Sequence, residues 1–469
     1  MCGHPYARRE MSNATNTRPE YRLACLVLLA IAFVACLLTC LCIAGGLTWW
    51  SVTSPTLTSA STPIHTHLSS TFTPASTPTY FLPTRTPTDK TTARHRRIFT
   101  ELWEIVRDDY LYPDYNGADW DAIGQEYRDR VETGLGDEEF WIVMDEMVFE
   151  LDDDHSIFLS PAAAKEEDLL FSGEMEYVGI GIYTTVPWEI DEAYAVILQV
   201  LPDSPAERAG LPPHDHILTV DDYPACCDAY GYDYLYRLTG PEGSTVELQV
   251  QTPGKAPRTV TITRAVILGT EAVETRLLEG NVGYIMIPTL WDDTIVERVR
   301  QALEELTADG ELAGLILDHR INPGGSYVVL EGLLAFFADG EVGHFSTSWG
   351  KDPLHIRGVD VGGSQSVPIV ILVSRETASF AEVFSGVLQE LGRARVVGRT
   401  TLGNIETLYG YDFEDGSRAW IAQEVFRPPS GTDWEDTGIV PDVEILLDWG
   451  EFSIQDDPQL EAALDLLRP

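Results

Sequence analysis

The chain has 469 residues, with 74 acidic against 31 basic side chains and a formal net charge of −43. This length predicts more than one domain, and a surface this acidic argues against nucleic acid or anionic lipid as a partner of the soluble part. The seven cysteines show neither a zinc-ligand spacing nor a disulfide framework.

Residues 23–48 form an almost wholly apolar segment without a charged side chain. About 20 apolar residues suffice to cross a bilayer, so we predict a transmembrane helix, with Trp49 and Trp50 as interfacial anchors. Four arginines, Arg8, Arg9, Arg18 and Arg22, precede it; this predicts a cytoplasmic N-terminus and an extracytoplasmic remainder. A cleaved signal peptide is the competing interpretation, but the segment is long and lacks a clear cleavage site.

Residues 51–92 are rich in Ser, Thr and Pro, which predicts an extended linker. Residues 93–165 are expected to form an N-terminal helical segment, because apolar residues recur there at helical spacing. The segment ends in a loop that carries His155 after three aspartates. On composition alone, a solvent-exposed histidine is as good an interpretation as a functional one.

Residues 171–265 predict a second, β-rich unit. Glycine alternates with apolar residues over 177–182, strands follow at 195–201, 214–221, 244–250 and 258–264, and a short helix at 204–211 ends in glycine. This order resembles a PDZ domain. The resemblance implies capture of a peptide C-terminus by strand addition, with Tyr177, Val178, Gly179 and Ile180 as substrate-binding residues. A PDZ fold with a purely structural duty is the alternative.

Strands and helices alternate over residues 266–450, which predicts an α/β core, and residues 451–469 are interpreted as a C-terminal tail. Two blocks, 315–325 and 369–382, each read as an apolar strand, a turn and a helix. The first turn offers Pro-Gly-Gly amides, and the second places Ser379 at the start of a helix. Backbone N–H groups at such turns can hold a developing oxyanion, so the pair suits acyl-transfer chemistry.

Motifs at 314–325, 377–382, 396–403 and 438–442 resemble those of the S41 serine peptidases, which include the C-terminal processing peptidases and the tricorn core. The resemblance covers roughly 96–447. It implies a ClpP/crotonase-like α/β fold, Ser379 as nucleophile, and an oxyanion hole from the amides of Gly324 or Gly325 and of Phe380. A helix-capping role is the structural alternative for Ser379, and Ser385 is a lesser candidate expected to face the core.

The sequence departs from the processing peptidases at their general base. Asn404 stands where they carry a lysine, and an amide cannot accept the serine proton. No lysine follows Lys351, and Arg399 cannot substitute because guanidinium stays protonated. The sequence therefore argues against a Ser-Lys dyad. It leaves Asn404 as a substrate-binding residue or as a filler of the lysine's space.

Either the site is inactive or another base operates. The tricorn-like branch uses serine, histidine and glutamate, and the resemblance places His155 and Glu435 at the matching motifs. The presence of both favours an active triad, in which His155 takes the proton of Ser379 and Glu435 orients the imidazole. His319 is a second base candidate for which core packing is the better interpretation. His214 and His216 are interpreted as loop residues.

We therefore expect a membrane-anchored, extracytoplasmic serine endopeptidase that acts on proteins or peptides, in part through their C-termini, and that requires no metal or organic cofactor. The rival is a catalytically silent protein of the same fold that binds peptide C-termini through its PDZ-like unit. An apolar-ligand carrier is a weaker third idea, since the fold has a retinoid-binding branch.

Overall fold

The computed structural model of the protein describes residues 88–153, 155–171, 176–186, 194–225, 233–268 and 272–468. The predicted cytoplasmic segment (1–22), the transmembrane helix (23–48) and nearly all of the linker lie outside these ranges. Among the helices within them, none has the length and apolar character needed to cross a membrane.

The N-terminal helical segment contains three main helices, α1 (Asp89–Asp109), α2 (Trp120–Glu132) and α3 (Asp137–Phe149), followed by strand β1 (Ile157–Leu159) and helix α4 (Pro161–Phe171). The Thr88 side chain accepts the N–H of Thr91 and so caps α1. This cap starts the helix inside the predicted linker, ahead of the expected boundary at residue 93. The apolar faces of α1–α3 pack together in one core cluster.

The β-rich unit has its own hydrophobic core. Five of its strands form an antiparallel sheet in the order β3-β4-β5-β7-β8, β6 is added to β5, and β2 pairs with β9. The expected strands and short helix are confirmed in order. The elements are β2 (Glu176–Gly179), β3 (Ile182–Thr185), β4 (Ala195–Val200), α5 (Pro205–Arg208), β5 (His216–Val220), β6 (Tyr223–Pro224), α6 (Asp233–Leu238), β7 (Thr245–Gln251), β8 (Arg258–Thr263) and β9 (Ala265–Leu268).

The α/β core is built on a six-stranded sheet in the order β10-β11-β12-β15-β16-β19. All neighbours in it are parallel except β10 and β11. Its elements are β10 (Glu274–Leu278), β11 (Val282–Met286), α7 (Ile295–Leu306), β12 (Gly314–Asp318), α8 (Tyr327–Phe337), β13 (Gly340–Ser346), β14 (Lys351–Ile356), β15 (Ile369–Val373), α9 (Phe380–Glu390), β16 (Ala394–Gly398), β17 (Glu406–Asp412), β18 (Arg418–Arg427), β19 (Val443–Glu444) and α10 (Pro458–Leu467).

Both faces of this sheet are covered, which explains why its strands are continuous apolar runs. Leu315 and Leu317 point into the cluster formed with α7, α8 and α9, whereas Ile316 points into the opposite cluster. The interpretation of residues 451–469 as a tail is wrong, because most of this segment packs on that opposite face. Helix α10 lies there, and its Ala463 is fully buried against the sheet.

A second sheet, in the order β1-β18-β13-β14 with β17 also on β18, joins the helical segment to the core. Residues of β18 belong to the core cluster of α1–α3, and Leu408 and Tyr411 of β17 pack against it. Strand β1 pairs with β18 so that Phe158 lies opposite Ala419. This pairing brings the end of the N-terminal segment next to the C-terminal half of the chain.

Candidate active site

Ser379 lies at the junction between a loop and helix α9. Its backbone has φ 53° and ψ −130°, a region that costs a residue with a side chain about 1–3 kcal/mol. Its N–H donates to the carbonyl of Asn404 at 2.7 Å and to Glu382 Oε2 at 2.9 Å. These two contacts hold the strained conformation in place.

The glycine turn after β12 approaches Ser379 closely, because β12 and β15 are parallel neighbours whose carboxyl ends meet at one edge of the sheet. Gly324 has φ 93°, and a Cβ placed on it would lie 2.6 Å from Ser379 Cβ and 2.9 Å from the Ala378 carbonyl oxygen. Asn322 joins the same two loops, since its carbonyl accepts the N–H of Ala378 at 3.0 Å. Only glycine permits this approach.

The amides expected to form an oxyanion hole differ in their availability. The N–H of Gly324 donates to Asn322 Oδ1 at 2.9 Å and is therefore used within the turn. The N–H groups of Gly325 and Phe380 have no acceptor among the described residues. Phe380 begins α9, where unsatisfied amides and the helix dipole favour negative charge. Gly325 and Phe380 are thus the two amides free to bind an oxyanion.

Glu382 fastens Ser379 and the start of helix α9 to residues 401–404. It is fully buried, and its two oxygens accept hydrogen bonds from four donors: the N–H groups of Ser379, Gly403 and Asn404 and the hydroxyl of Thr401. Burial raises the pKa of Glu382 to about 7, although these donors act in the opposite direction. The glutamate that follows the serine in the motif is therefore a structural clamp on Ser379 and Asn404.

The structure brings His155 and Glu435 together, as predicted. His155 Nε2 lies 3.2 Å from Glu435 Oε1, and both side chains are largely shielded from solvent. Glu435 is held through its other oxygen, Oε2, which accepts the N–H of Ile405 at 2.9 Å. His155 precedes β1 and Glu435 follows β18, so the pairing of these two strands creates the contact.

Ser379 and the His155–Glu435 pair meet on opposite sides of one backbone segment. The carbonyl of Asn404 accepts from Ser379, and the amide of the next residue, Ile405, donates to Glu435. Both residues are described, and no hydrogen bond joins the Ser379 hydroxyl to the His155 imidazole. The structure thus assembles the three predicted residues in one region without closing the link between serine and histidine.

Glu406 is a member of this site that the sequence analysis did not single out. It is 5 % exposed; its Oε2 lies 3.5 Å from His155 Nε2, and its Oε1 accepts the hydroxyl of Tyr112. Burial, and to a smaller extent the nearby Glu435 carboxylate, raise the pKa of Glu406 to about 7 against the opposing effect of His155. Its position two residues after Asn404 is the only signal that the sequence carried.

Donor atoms of His155, Glu406 and Glu435 lie within 4.8 Å of one another. An imidazole nitrogen and two carboxylate oxygens are a donor set that suits a divalent transition metal ion.

The other candidate residues are structural. His319 is fully buried, its ring stacks on Phe384 with a centroid separation of 4.8 Å, and burial lowers its pKa to about 4. It is therefore a core residue, as expected. Ser385 is also buried and donates to the Ala381 carbonyl at 2.7 Å.

The interpretation of His216 as a loop residue is wrong, whereas His214 lies in the turn before β5, as expected, but is buried. His214 is 2 % exposed and stacks on Trp449, a residue of the C-terminal region, at 4.0 Å. His216 belongs to β5 and stacks on Tyr194. Both rings pack because the β-rich unit rests on the segment around Trp449, a long-range contact.

The expected substrate-binding residues 177–180 lie in the β-rich unit, on β2 and just after it. Ile180 is buried in the core of that unit, and the carbonyl of Val178 accepts the N–H of Gly240 at 3.2 Å. The unit contacts the loop that carries Ser379 through a different residue. Thr185, at the end of β3, donates to Glu376 Oε1 at 3.3 Å, three residues before Ser379.

Comparisons with known proteins decide the family. The model of peptidase family S41 matches residues 281–445, and that of the tricorn protease C1 domain matches residues 91–149. The carboxyl-terminal-processing protease of Picosynechococcus sp. is 30% identical over 381 residues, which cover 79% of this chain and 88% of that protein. The chain belongs to peptidase family S41.

Further relatives of this S41 peptidase carry similar names. Carboxyl-terminal-processing peptidase 2 of the Arabidopsis thaliana chloroplast is 30% identical over 358 residues, which cover 74% of this chain and 68% of that one. Among solved structures, the photosystem II D1 C-terminal processing protease is 27% identical, with a TM-score of 0.53 over 75% of this chain and 93% of that chain. The protein is accordingly a serine-type peptidase with a mixed α/β S41 fold.

Proposed function

We propose that this S41 peptidase is a membrane-anchored, extracytoplasmic endopeptidase that uses Ser379, His155 and Glu435 in place of a Ser-Lys dyad. The observation that carries the triad is the buried His155–Glu435 contact, held against the same backbone segment, 404–405, that fixes Ser379. Asn404 cannot titrate, so the imidazole is the base available to the serine.

The mechanism follows from these positions. Neutral His155 accepts the Ser379 hydroxyl proton while Oγ attacks the peptide carbonyl, and the amides of Gly325 and Phe380 stabilise the oxyanion. The intermediate collapses with release of the amine, which takes the proton from His155. Water then hydrolyses the acyl-enzyme by the same route in reverse. In the described structure, no hydrogen bond joins the Ser379 hydroxyl to the His155 imidazole. Substrate binding is therefore proposed to bring these two groups within hydrogen-bonding distance.

Labelling of the full chain with a fluorophosphonate probe, which reacts with activated serines, tests the triad. We expect Ser379→Ala to abolish labelling, His155→Ala to slow it roughly 10³-fold or more, and Glu435→Gln to slow it as well. Ser385→Ala is the matched control, since it removes a hydroxyl from the same helix without affecting the site. Unchanged labelling of His155→Ala would exclude this histidine as the base.

The β-rich unit is proposed to act as a PDZ-like module that receives substrate C-termini. Strand β3 is at one edge of its sheet, and α6 lies beside it, since the hydroxyl of Thr184 on β3 is 3.1 Å from that of Tyr234 on α6. An edge strand beside a helix suits strand addition. The names of the relatives, which are carboxyl-terminal-processing proteases, support the same substrate class.

Peptide binding separates this endopeptidase from a silent, peptide-capturing protein of the same fold. We expect the Ser379→Ala chain to bind an apolar peptide with a free C-terminus in fluorescence anisotropy, and a C-terminally amidated copy more weakly. Cleavage by the wild type establishes the enzyme; binding without cleavage or labelling establishes the rival. Equal binding of both peptides would contradict recognition of the C-terminus.

The membrane anchor is proposed from residues 23–48. It predicts that the chain resists alkaline carbonate extraction from membranes, and that protease added to intact cells digests the catalytic part but spares a tag on the N-terminus. Release of the chain by carbonate would refute the anchor.

A further inference from the structure

The contact between His155 and the two glutamates has a feature that the triad does not use. Glu406 Oε2 is buried and accepts no hydrogen bond among the described residues, although it lies 3.5 Å from His155 Nε2. Glu435 Oε1 approaches the same nitrogen to 3.2 Å. Both carboxylates thus direct one oxygen at one imidazole nitrogen, and one of these oxygens has no donor.

Each carboxylate is anchored through its remaining oxygen. Tyr112 donates to Glu406 Oε1, and the amide of Ile405 donates to Glu435 Oε2. Such outer contacts orient metal ligands in proteins. The oxygens that face His155, Glu406 Oε2 and Glu435 Oε1, are therefore fixed in position. No lysine or arginine of the described residues pairs with either of them.

The separations fit a small metal ion. Bonds of about 2.0–2.2 Å in a tetrahedral site place donor atoms about 3.3–3.6 Å apart. Two separations here are 3.2 and 3.5 Å, and all three donor atoms lie within 4.8 Å of one another. A small movement of one carboxylate completes three ligands and leaves a fourth position open.

Charge points the same way. In the described part of the chain, neither Glu406 nor Glu435 forms an ion pair with lysine or arginine, and His155 is their ion-pair partner. The cluster therefore holds two shielded acidic side chains and one imidazole, without a lysine or arginine of the described residues beside them. A divalent cation would supply the missing charge and a partner for Glu406 Oε2.

We propose that His155, Glu406 and Glu435 form an inhibitory site for a divalent transition metal ion, Zn²⁺ in the first instance. The nitrogen donor favours zinc over Mg²⁺ and Ca²⁺, which take oxygen ligands. The inhibition rests on the proposed role of His155 as the base. A metal ion bound to His155 Nε2 and to Glu435 would occupy the two side chains that the proton transfer from Ser379 requires. Zinc binding itself does not depend on that role.

Binding is measured on the full-length Ser379→Ala chain, stripped with a chelator and titrated with Zn²⁺ against a chromophoric indicator. We expect one zinc ion per chain, bound at least tenfold more weakly after the further change Glu406→Gln or His155→Ala. Glu424→Gln is the matched control, because Glu424 also accepts a tyrosine hydroxyl, that of Tyr409 at 2.9 Å, outside the cluster. Equal zinc affinity in all four proteins would overturn the site.

Inhibition is measured on the active chain by fluorophosphonate labelling, each variant relative to its own rate in chelator. We expect zinc to stop labelling of the wild type, excess chelator to restore it, and Glu406→Gln to require at least tenfold more zinc. Zinc binding that depends on Glu406 but leaves labelling unchanged overturns the inhibitory role. A wild type that binds zinc through these residues but never labels retains the metal site and refutes the proposed triad instead.

Discussion

Replacement of Gly324 by alanine tests whether the close approach of the glycine turn positions the nucleophile. The added Cβ would lie 2.6 Å from Ser379 Cβ, whereas ordinary contacts begin at 3.4 Å. One of the two loops must therefore retreat by about 0.8 Å. Neither loop can turn aside as a flexible side chain would, because the contact also involves the Ala378 carbonyl and the Phe380 amide.

The size of the effect follows from this displacement. A misplacement of about 1 Å at a reacting group can cost on the order of 10²-fold in rate, so we expect Gly324→Ala to label with fluorophosphonate roughly 30- to 100-fold more slowly than the wild type. A positive φ adds roughly 1–2 kcal/mol of backbone strain for alanine. This strain lowers the free energy of unfolding but not the reactivity of Ser379.

Gly363→Ala separates the two effects. Gly363 has φ 87°, close to the 93° of Gly324, but a Cβ there meets nothing within 4 Å. We expect the control to lose a similar roughly 1–2 kcal/mol in urea denaturation while labelling at the wild-type rate. If Gly324→Ala also labels at the wild-type rate, or if both variants slow equally, the contact does not position the serine.

Three further predictions concern buried polar groups. Burial lowers the pKa of His319 to about 4, so the contribution of this histidine to stability is complete above its unfolded pKa of about 6.5 and is lost as the pH falls towards 4. His319→Leu should therefore reduce the slope of the unfolding free energy against pH in this window by roughly 1.4 kcal/mol per pH unit. Parallel slopes for the variant and the wild type would contradict the assignment. Arg320 is 2 % exposed and lies 2.6 Å from Asp318 and 2.8 Å from Asp457. Arg320→Met should lower the free energy of unfolding in urea by about 3–5 kcal/mol, because it leaves a buried carboxylate without its partner. The double variant with Asp318→Asn should lose less, because it removes the charge of that carboxylate as well. Trp449 donates its indole N–H to the Ile197 carbonyl in the β-rich unit at 3.0 Å. Trp449→Phe should lower the free energy of unfolding by about 1–3 kcal/mol and speed hydrogen exchange in β4. Unchanged exchange in β4 would show that this hydrogen bond does not hold the β-rich unit in place.

Local sequence patterns were sufficient for the elements that carry Ser379. The strands at 315–318 and 369–373 are apolar at every position but one and are buried on both faces, and such runs identify strands of a covered parallel sheet. One glycine pair, Gly324 and Gly325, and a serine before an amphipathic run, Ser379, mark the two turns that meet at the sheet's edge. The asparagine at position 404, where the processing peptidases carry a lysine, is also visible before folding, but only through the resemblance to that family.

The resemblance to the family placed His155 and Glu435 together, but no local pattern could. These residues are 280 positions apart, and their contact exists because β1 pairs with β18. The composition around His155 is as compatible with a solvent-exposed loop histidine as with a functional one. The same limit explains why the burial of His214 was not predicted, since its partner Trp449 is distant in sequence.

The sequence by itself therefore determined the α/β fold class and the place of Ser379 just before helix α9, because periodicity and turn chemistry are properties of neighbouring residues. Tertiary structure alone decided which amides remain available, through the bond from Gly324 to Asn322. It also decided that Glu406 directs an unpartnered oxygen at His155. Strand register and burial set both features, and these depend on residues that the chain brings together only when it folds.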